Sequence, residues 1–370
     1  MHVLHIFNEI NFSGAEIMYA NAAPLFQEKG IQMTAVNTGK KMGNYADVFE
    51  KASIKIIYRP ISQGYKNPVF LLRYFRNVYR YIKKEKVDIV HVHRSDIFWY
   101  YSLCAAMAGA KTVMTPHNVF KNRKITWIKA YLERLTARKL LKTTFQTIGE
   151  SVYYNELRYY KTPSVLINNW FNPGRFFPAQ ENEKSMIRKQ LGIGEADFVV
   201  ISAGGCSKIK NHSAIIDAMS IITKSYPCIY LHLGKGILEE EEIAKTNQLN
   251  LQEYIRFIGN KVNIRDYLVA SDVYLMTSRL EGLSISAIEA MACSLPCILY
   301  NSPGLRDLIQ DDNNGFLIND DVSLLAEKLT IFKNNPALAA EKGNNGRRFV
   351  SANFNMQQSV NEIIQLYNKI

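Results

Sequence analysis

With 370 residues the chain is long enough for two domains, each with its own core, and 47% apolar against 21% charged residues excludes a disordered or low-complexity protein. No window approaches the roughly 20 apolar residues of a membrane span, and the start, Met1 to Phe7, lacks the basic flank and apolar core of a signal peptide, so a cytoplasmic protein is expected. The charge is uneven: residues 1–175 carry 26 Lys and Arg against 11 Asp and Glu, whereas 176–370 carry 19 against 22, so the net +12 arises wholly in the first half. That asymmetry points to an anionic partner such as nucleic acid, a membrane surface or a phosphorylated substrate. The five cysteines (Cys104, Cys206, Cys228, Cys293, Cys297) are scattered and odd in number, which suits free thiols in a reducing compartment.

In chain order, apolar runs predict strands at Val3–Phe7, Met33–Asn37, Ile54–Tyr58, Ile89–His93, Thr112–Thr115, Thr144–Thr147 and Val165–Ile167. Amphipathic stretches near 15–29, 68–85, 96–108 and 125–141 predict helices between them. The alternation halts at Asn168 to Gly174, a cluster of turn formers, and restarts with Phe198–Ala203, Ile229–Leu233, Ile255–Phe257, Val273–Met276 and Pro296–Leu299. Two doubly wound α/β domains joined near 168–180 are predicted, with ligands beyond the carboxyl ends of the strands.

The first basic stretch, Lys66–Lys84, has apolar residues at 69, 72, 75, 79 and 82, which predicts one buried helical face with a basic, aromatic remainder. Lys121–Lys142 repeats the mixture around Trp127 and Tyr131. Such faces suit anionic lipid, and equally an ordinary solvated helix; no recognised nucleic-acid motif accompanies them. His117 follows a predicted strand end, and His91 and His93 share a strand face with no third metal ligand apparent.

Beyond Phe198–Ala203, the stretch Gly204 to His212 combines glycines, which let the backbone approach a phosphate, with Lys210, a point charge. Gly234-Lys235-Gly236 fails the dinucleotide fingerprint because Glu239 stands at the third glycine position, and Glu239–Glu242 reads as a solvated helix face. Beyond Val273–Met276 a loop holding Glu281 leads into a helix starting near Ser284 to Ser286. The free N–H groups of Gly282, Leu283, Ser284 and Ile285 suit a nucleotide diphosphate there. Glu281 can then accept from sugar hydroxyls and Glu289 from ribose, although Ser286-x-x-Glu289 also reads as a capping box. No Asp-x-Asp occurs, which argues against metal-dependent transfer; no cofactor is expected.

The segment Glu281 to Glu289 resembles the E-x7-E region of glycosyltransferase family 4, whose fold is GT-B: two doubly wound Rossmann-like domains facing across a cleft. Asn11 to Glu16 is similar to the family's Gly-Gly-Ala-Glu loop, with Ser13 for the first glycine and Gly14 for the second. Asp88–His93, Thr115 to Asn118, Pro303 to Asp307 and Asn314 to Leu317 match further motifs in the family's order. The resemblance implies an acceptor domain at 1–170 joined by a returning helix at 356–370, and a donor domain at 171–355. It implies a retaining hexosyltransferase with His117, Glu281 and Lys210 in catalytic positions. Gly14, Gly205, Lys210, Gly282, Leu283, Ser284, Ile285 and Glu289 are implied around the donor, with Arg256 and Ile258 bordering its base. An arginine five residues before the lysine clamps the diphosphate in the family; Gly205 stands there, which leaves Lys208 and Arg279 as candidate substitutes. The implied donor is a nucleotide-sugar, commonly a UDP-sugar carrying a hexose or N-acetylhexosamine. The implied acceptor is a polyprenyl-diphosphate-linked saccharide of capsule, exopolysaccharide or O-antigen assembly, reached at the inner membrane face. A GT-B isomerase of the UDP-N-acetylglucosamine 2-epimerase type is the alternative enzyme.

Overall fold

The computed structural model describes residues 1–61, 67–119, 124–310 and 312–370; Lys66 and Lys121 to Arg123 of the two basic stretches lie outside them. The chain divides into two compact units, Met1–Trp170 with Met356–Ile370, and Phe171–Asn355.

Among the described residues the first unit holds seven strands: β1 (His2–Phe7), β2 (Gln32–Asn37), β3 (Lys55–Tyr58), β4 (Ile89–Val92), β5 (Lys111–Met114), β6 (Thr144–Thr147) and β7 (Val165–Leu166). They form one parallel sheet in the order β3-β2-β1-β4-β5-β6-β7. The second unit holds β8 (Phe198–Ala203), β9 (Cys228–Leu233), β10 (Ile255–Gly259), β11 (Val273–Met276), β12 (Cys297–Tyr300) and β13 (Phe316–Ile318), parallel in the order β10-β9-β8-β11-β12-β13. Every residue of β1, β4, β8, β11 and β12 is buried, as central strands covered by helices on both faces must be. Strand order reverses between β1 and β4, and again between β8 and β11, so each unit has a switch point where loops diverge and leave room for a ligand.

Local chemistry sets the helix ends. Asn67 caps Pro68–Lys84 by accepting from the N–H groups of Val69 and Phe70, with Pro68 in the first turn where a missing N–H costs nothing. Asp321 caps Val322–Asn334 in the same way, and Gly109 closes Phe98–Ala108 in the left-handed conformation.

One sequence expectation needs correction. In Pro68–Lys84 three of the five expected positions face the core, Ile82 fully and Phe75 and Tyr79 in part, joined by the buried Tyr74 and Val78; Val69 and Leu72 are instead 66% and 74% exposed among the basic residues. Packing against Phe98–Ala108 buries a broader face that adds Tyr74 and Val78 to the expected one and leaves its first turn outside. The motif Asn314 to Leu317 runs from a bend at Asn314 and Gly315 into β13. The last helix, Met356–Lys369, packs in the first unit against Gly14–Glu28, where the Tyr367 hydroxyl lies 2.5 Å from His91 Nδ1.

Candidate active-site residues

In the second unit the loops after β8 and β11 are tied to each other. The Thr277 hydroxyl donates to the carbonyl of Asn211 at 2.9 Å, and the Arg279 N–H donates to that of Ile209 at 2.8 Å. Between these ties Lys210 Nζ donates to Glu281 Oε1 at 2.7 Å, both side chains being largely but not fully buried. Lys210 lies along Gly204, where a Cβ would meet its Cε at 3.2 Å. Glu281 is held from behind: its N–H donates to the Pro303 carbonyl, and Gly304 (φ +78°) presses on the carbonyls of Glu281 and Gly282, where any Cβ would come within 2.7 Å. That contact is the physical role of the Pro303-Gly304 motif.

The helix Ile285–Ala292 opens at Ser284, whose Oγ accepts from the Ala287 N–H at 3.3 Å. The N–H groups of Ile285 and Ser286, both half-buried, meet no protein acceptor among the described residues, so the buried Gly282, Leu283 and Ser284 lead up to a positive helix end with free donors. The capping-box reading of Glu289 fails here. The cap is Ser284, not Ser286, and the Ser286 hydroxyl instead donates to the Ala203 carbonyl and accepts from Tyr274. Glu289 is 7% exposed in the body of the helix, and burial pushes its carboxyl up to about 8 against a weaker opposing effect of Arg175. A carboxyl held in that state belongs to a ligand site more readily than to a helix cap.

The other expected residues are held as follows. The Arg256 guanidinium donates to the carbonyls of Leu191 (2.8 Å) and Gly192 (3.1 Å), so its side chain closes a neighbouring helix end. Ile258 is half-buried beside Gly259 at a bulge in β10. Of the expected substitutes for the missing arginine, Arg279 is paired with Asp320 at 3.0 Å and Lys208 is exposed. A residue that sequence reasoning passed over, Lys235, flanks the position better. Its backbone carbonyl lies against Gly205 and its side chain runs over Gly259. The Gly234-Lys235-Gly236 triplet was the available signal: Gly236 lets this segment lie flush on the backbone of Cys206, where a Cβ would meet the carbonyl oxygen at 2.3 Å. The acidic run also needs correction. Glu240 and Glu241 are exposed, but Glu242 is 4% exposed and faces His212 and His232.

In the first unit, Gly14 opens the helix after β1, and Ser13 Oγ donates to the carboxyl of Glu16. Burial raises that carboxyl to about 7. The sequence reading missed a third histidine. His5 Nδ1 lies 3.1 Å from His93 Nε2, and His93 Nδ1 lies 2.9 Å from His117 Nε2, a chain of three imidazoles running from β1 to the loop after β5. Burial lowers His117 to about 4 and His5 to about 3, so the chain is neutral at physiological pH and His117 offers a hydrogen bond rather than a positive charge. His5, His91 and His93 present ring nitrogens close enough to share an ion. His91, however, spends both nitrogens on Tyr367 and on Thr115 (2.7 Å), as a structural histidine does.

Comparison with known proteins agrees with this arrangement. Residues 12–204, more than half of the chain, match the model of Glycosyltransferase Family 4, and residues 183–349 match that of Glycosyl transferases group 1. The chain is 26% identical over 305 residues to the UDP-Gal:alpha-D-GlcNAc-diphosphoundecaprenol alpha-1,3-galactosyltransferase of Escherichia coli, covering 79% of this chain and 78% of that one. It is 25% identical over 298 residues to the capsular polysaccharide biosynthesis glycosyltransferase CapH of Staphylococcus aureus, covering 78% of each. Among solved structures, Anabaena HepE in complex with UDP and glucose superposes over the whole of both chains with a TM-score of 0.87 at 16% identity. With its two parallel sheets this chain has the GT-B fold, and it belongs to glycosyltransferase family 4 as a sugar-transferring enzyme.

Proposed function

We propose that this enzyme moves a hexose or N-acetylhexosamine from a UDP-sugar to a polyprenyl-diphosphate-linked saccharide during cell-surface polysaccharide assembly, with retention and without a metal ion in the transfer step. The observation that carries the reading is the Lys210–Glu281 pair at 2.7 Å, next in the fold to the open helix end at Ser284 and Ile285. A lysine and free backbone N–H groups are what a leaving diphosphate needs, because charge develops on it as the C1–oxygen bond breaks. Glu281 holds the lysine in place, and a donor phosphate beside the pair takes over the lysine's charge while Glu281 accepts from sugar hydroxyls. Glu289 accepts from ribose. The acceptor oxygen bonds to C1 on the face the nucleotide leaves, and its proton passes to the departing phosphate oxygen. The lack of an Asp-x-Asp pair leaves charge neutralisation to Lys210 and the helix end.

The printed names of relatives support the substrate classes: the E. coli enzyme is named for UDP-Gal and a diphosphoundecaprenol acceptor, and CapH for capsule. For a lipid-linked acceptor the first unit supplies Val69 and Leu72, exposed on a helix that also exposes Arg73, Arg76, Arg80, Lys83 and Lys84. No helix among the described residues is long and apolar enough to cross a membrane, so we assign the enzyme a peripheral place on the inner membrane face, with no role for nucleic acid. The test incubates the protein with a panel of UDP-sugars and short-chain polyprenyl-diphosphate saccharides, without added Mg²⁺ or Mn²⁺. Transfer with an axial anomeric product by NMR is expected. Conversion of the UDP-sugar alone, or an inverted product, overturns the reading.

A further inference from the structure

We propose that Cys206, His212, His232 and Glu242 form a buried, four-ligand zinc site that fastens the loop carrying Lys210 to the strand and helix beside it. The four side chains come from four places: the turn after β8, the first residue of the helix His212–Ile222, the interior of β9, and the helix Glu239–Gln248. Folding brings their donor atoms within 4.8 Å of one another, and all four residues are buried. Cys206 Sγ lies 3.1 Å from His232 Nε2, His212 Nδ1 lies 3.4 Å from Glu242 Oε1, and His232 Nε2 lies 3.6 Å from Glu242 Oε2. A zinc tetrahedron with bonds of roughly 2.0–2.3 Å has edges of about 3.3–3.6 Å, close to these three separations, and the remaining pairs lie within 4.8 Å, so small side-chain shifts would seat the ion.

A hydrogen-bonded cluster of the same residues would pair its polar atoms. This one pairs Cys206 with His232 but leaves two buried atoms over: His212 Nδ1 and Glu242 Oε2 find no hydrogen-bond partner of proper geometry. Each lies within 3.6 Å of another member of the four, so one cation among them would bond both. The outer nitrogen of His232 is already oriented: its Nδ1 lies 3.1 Å from the Tyr230 hydroxyl, itself 2.6 Å from Ser202 Oγ, which leaves Nε2 for a metal. One thiolate, two neutral imidazoles and one carboxylate neutralise a divalent ion and suit zinc rather than the oxygen-seeking Mg²⁺ or Ca²⁺. With four protein ligands the site has no open position, so its role is structural. Cys206 and His212 bracket Lys210, and an ion holding both would limit how far that lysine can stray.

Metal content and a cobalt spectrum of the full-length protein test this without reference to transfer. Purified without a metal-affinity tag, the wild-type chain is expected to carry one zinc per molecule. After exchange, Co²⁺ should show a sulfur-to-cobalt charge-transfer band with intense tetrahedral d–d bands. Cys206→Ser should lose the charge-transfer band and the stoichiometric zinc, whereas Cys297→Ser, at a buried cysteine outside the cluster, should keep both. Zinc-free wild-type protein that also takes up no cobalt overturns the proposal, as does Cys206→Ser that retains full zinc. If Cys206→Ser does not fold, Glu242→Gln is used, and retention of full zinc by that variant counts against the site in the same way.

Discussion

Replacing Lys210 by alanine removes the charge that the loop after β8 places beside Glu281 and leaves the rest of the loop intact. Two magnitudes separate a catalytic from a structural lysine. As a stability element the pair is modest: Lys210 and Glu281 keep 24% and 14% side-chain exposure, and ion pairs still in contact with water contribute at most about 1 kcal/mol. As a stabiliser of the leaving diphosphate, a preorganised donor contributes roughly 10²–10³ in rate, about 3–4 kcal/mol. Lys210→Ala should therefore lower kcat/KM by two to three orders of magnitude, on the order of that expected for one lost donor, while the melting temperature moves by only a few degrees. Lys210→Arg should recover part of the rate, since the charge returns with a different shape. Steady-state transfer assays beside thermal melts measure both effects. In the double variant with Glu281→Ala the losses should be less than additive, because each residue positions the other. A Lys210→Ala enzyme with near-wild-type kcat/KM refutes the phosphate role, and one that loses rate only in proportion to lost folded protein makes the lysine structural.

Glu289 gives a pH signature: burial holds its carboxyl up at about 8 from 4.5, so its contribution to folding is complete below the lower value and is lost as pH rises through the higher one. Accepting from ribose requires the ionised form, so UDP binding should release a proton and tighten from pH 6 toward 8; calorimetry in buffers of different ionisation enthalpy reads this, and Glu289→Gln should abolish it. The imidazole chain has the opposite sign. With His117 lowered to about 4 and His5 to about 3, the stability it contributes is present above the ordinary imidazole value of 6.5 and lost as pH falls through those values, so His117→Gln should flatten the acid limb of a pH–melting profile. Glu156 accepts two hydrogen bonds from Arg134, at 2.7 and 2.9 Å, with both residues buried; Glu156→Ala should cost about 3–5 kcal/mol in urea unfolding, because the guanidinium is left unpaired in the core. Replacing Arg73, Arg76 and Arg80 by glutamine should weaken binding to vesicles containing phosphatidylglycerol by about 1 kcal/mol per residue, an effect absent with neutral vesicles.

Much of the site was legible because it sits where chain order and strand order meet. Glycine-rich or glutamate-bearing loops directly after β8 and β11 read as ligand loops once the strands were placed, and neither inference needed a side-chain contact. Interactions spanning many residues were not legible. His5 lies 88 positions from His93 and sits in a strand whose apolar run gives no hint of a polar chain. Glu242 was hidden in a run of four glutamates, where composition describes the exposed majority and misses the one that turns inward. In Pro68–Lys84 the period found Phe75, Tyr79 and Ile82 on the packed side, but not that Tyr74 and Val78 join them or that Val69 and Leu72 stand exposed.

Period and order in the amino-acid sequence determined the alternation of strands and helices, and with it two doubly wound sheets whose ligand loops follow particular strands. Those properties depend on neighbours a few residues apart, and local patterning expresses them directly. Tertiary structure alone decided that Ser284 rather than Ser286 caps Ile285–Ala292, that Arg279 pairs with Asp320 while the Lys235 carbonyl lies against Gly205, and that a cysteine, two histidines and a glutamate converge near the loop after β8. Each depends on distances between segments far apart along the chain, which the packing of helices on a twisted sheet sets.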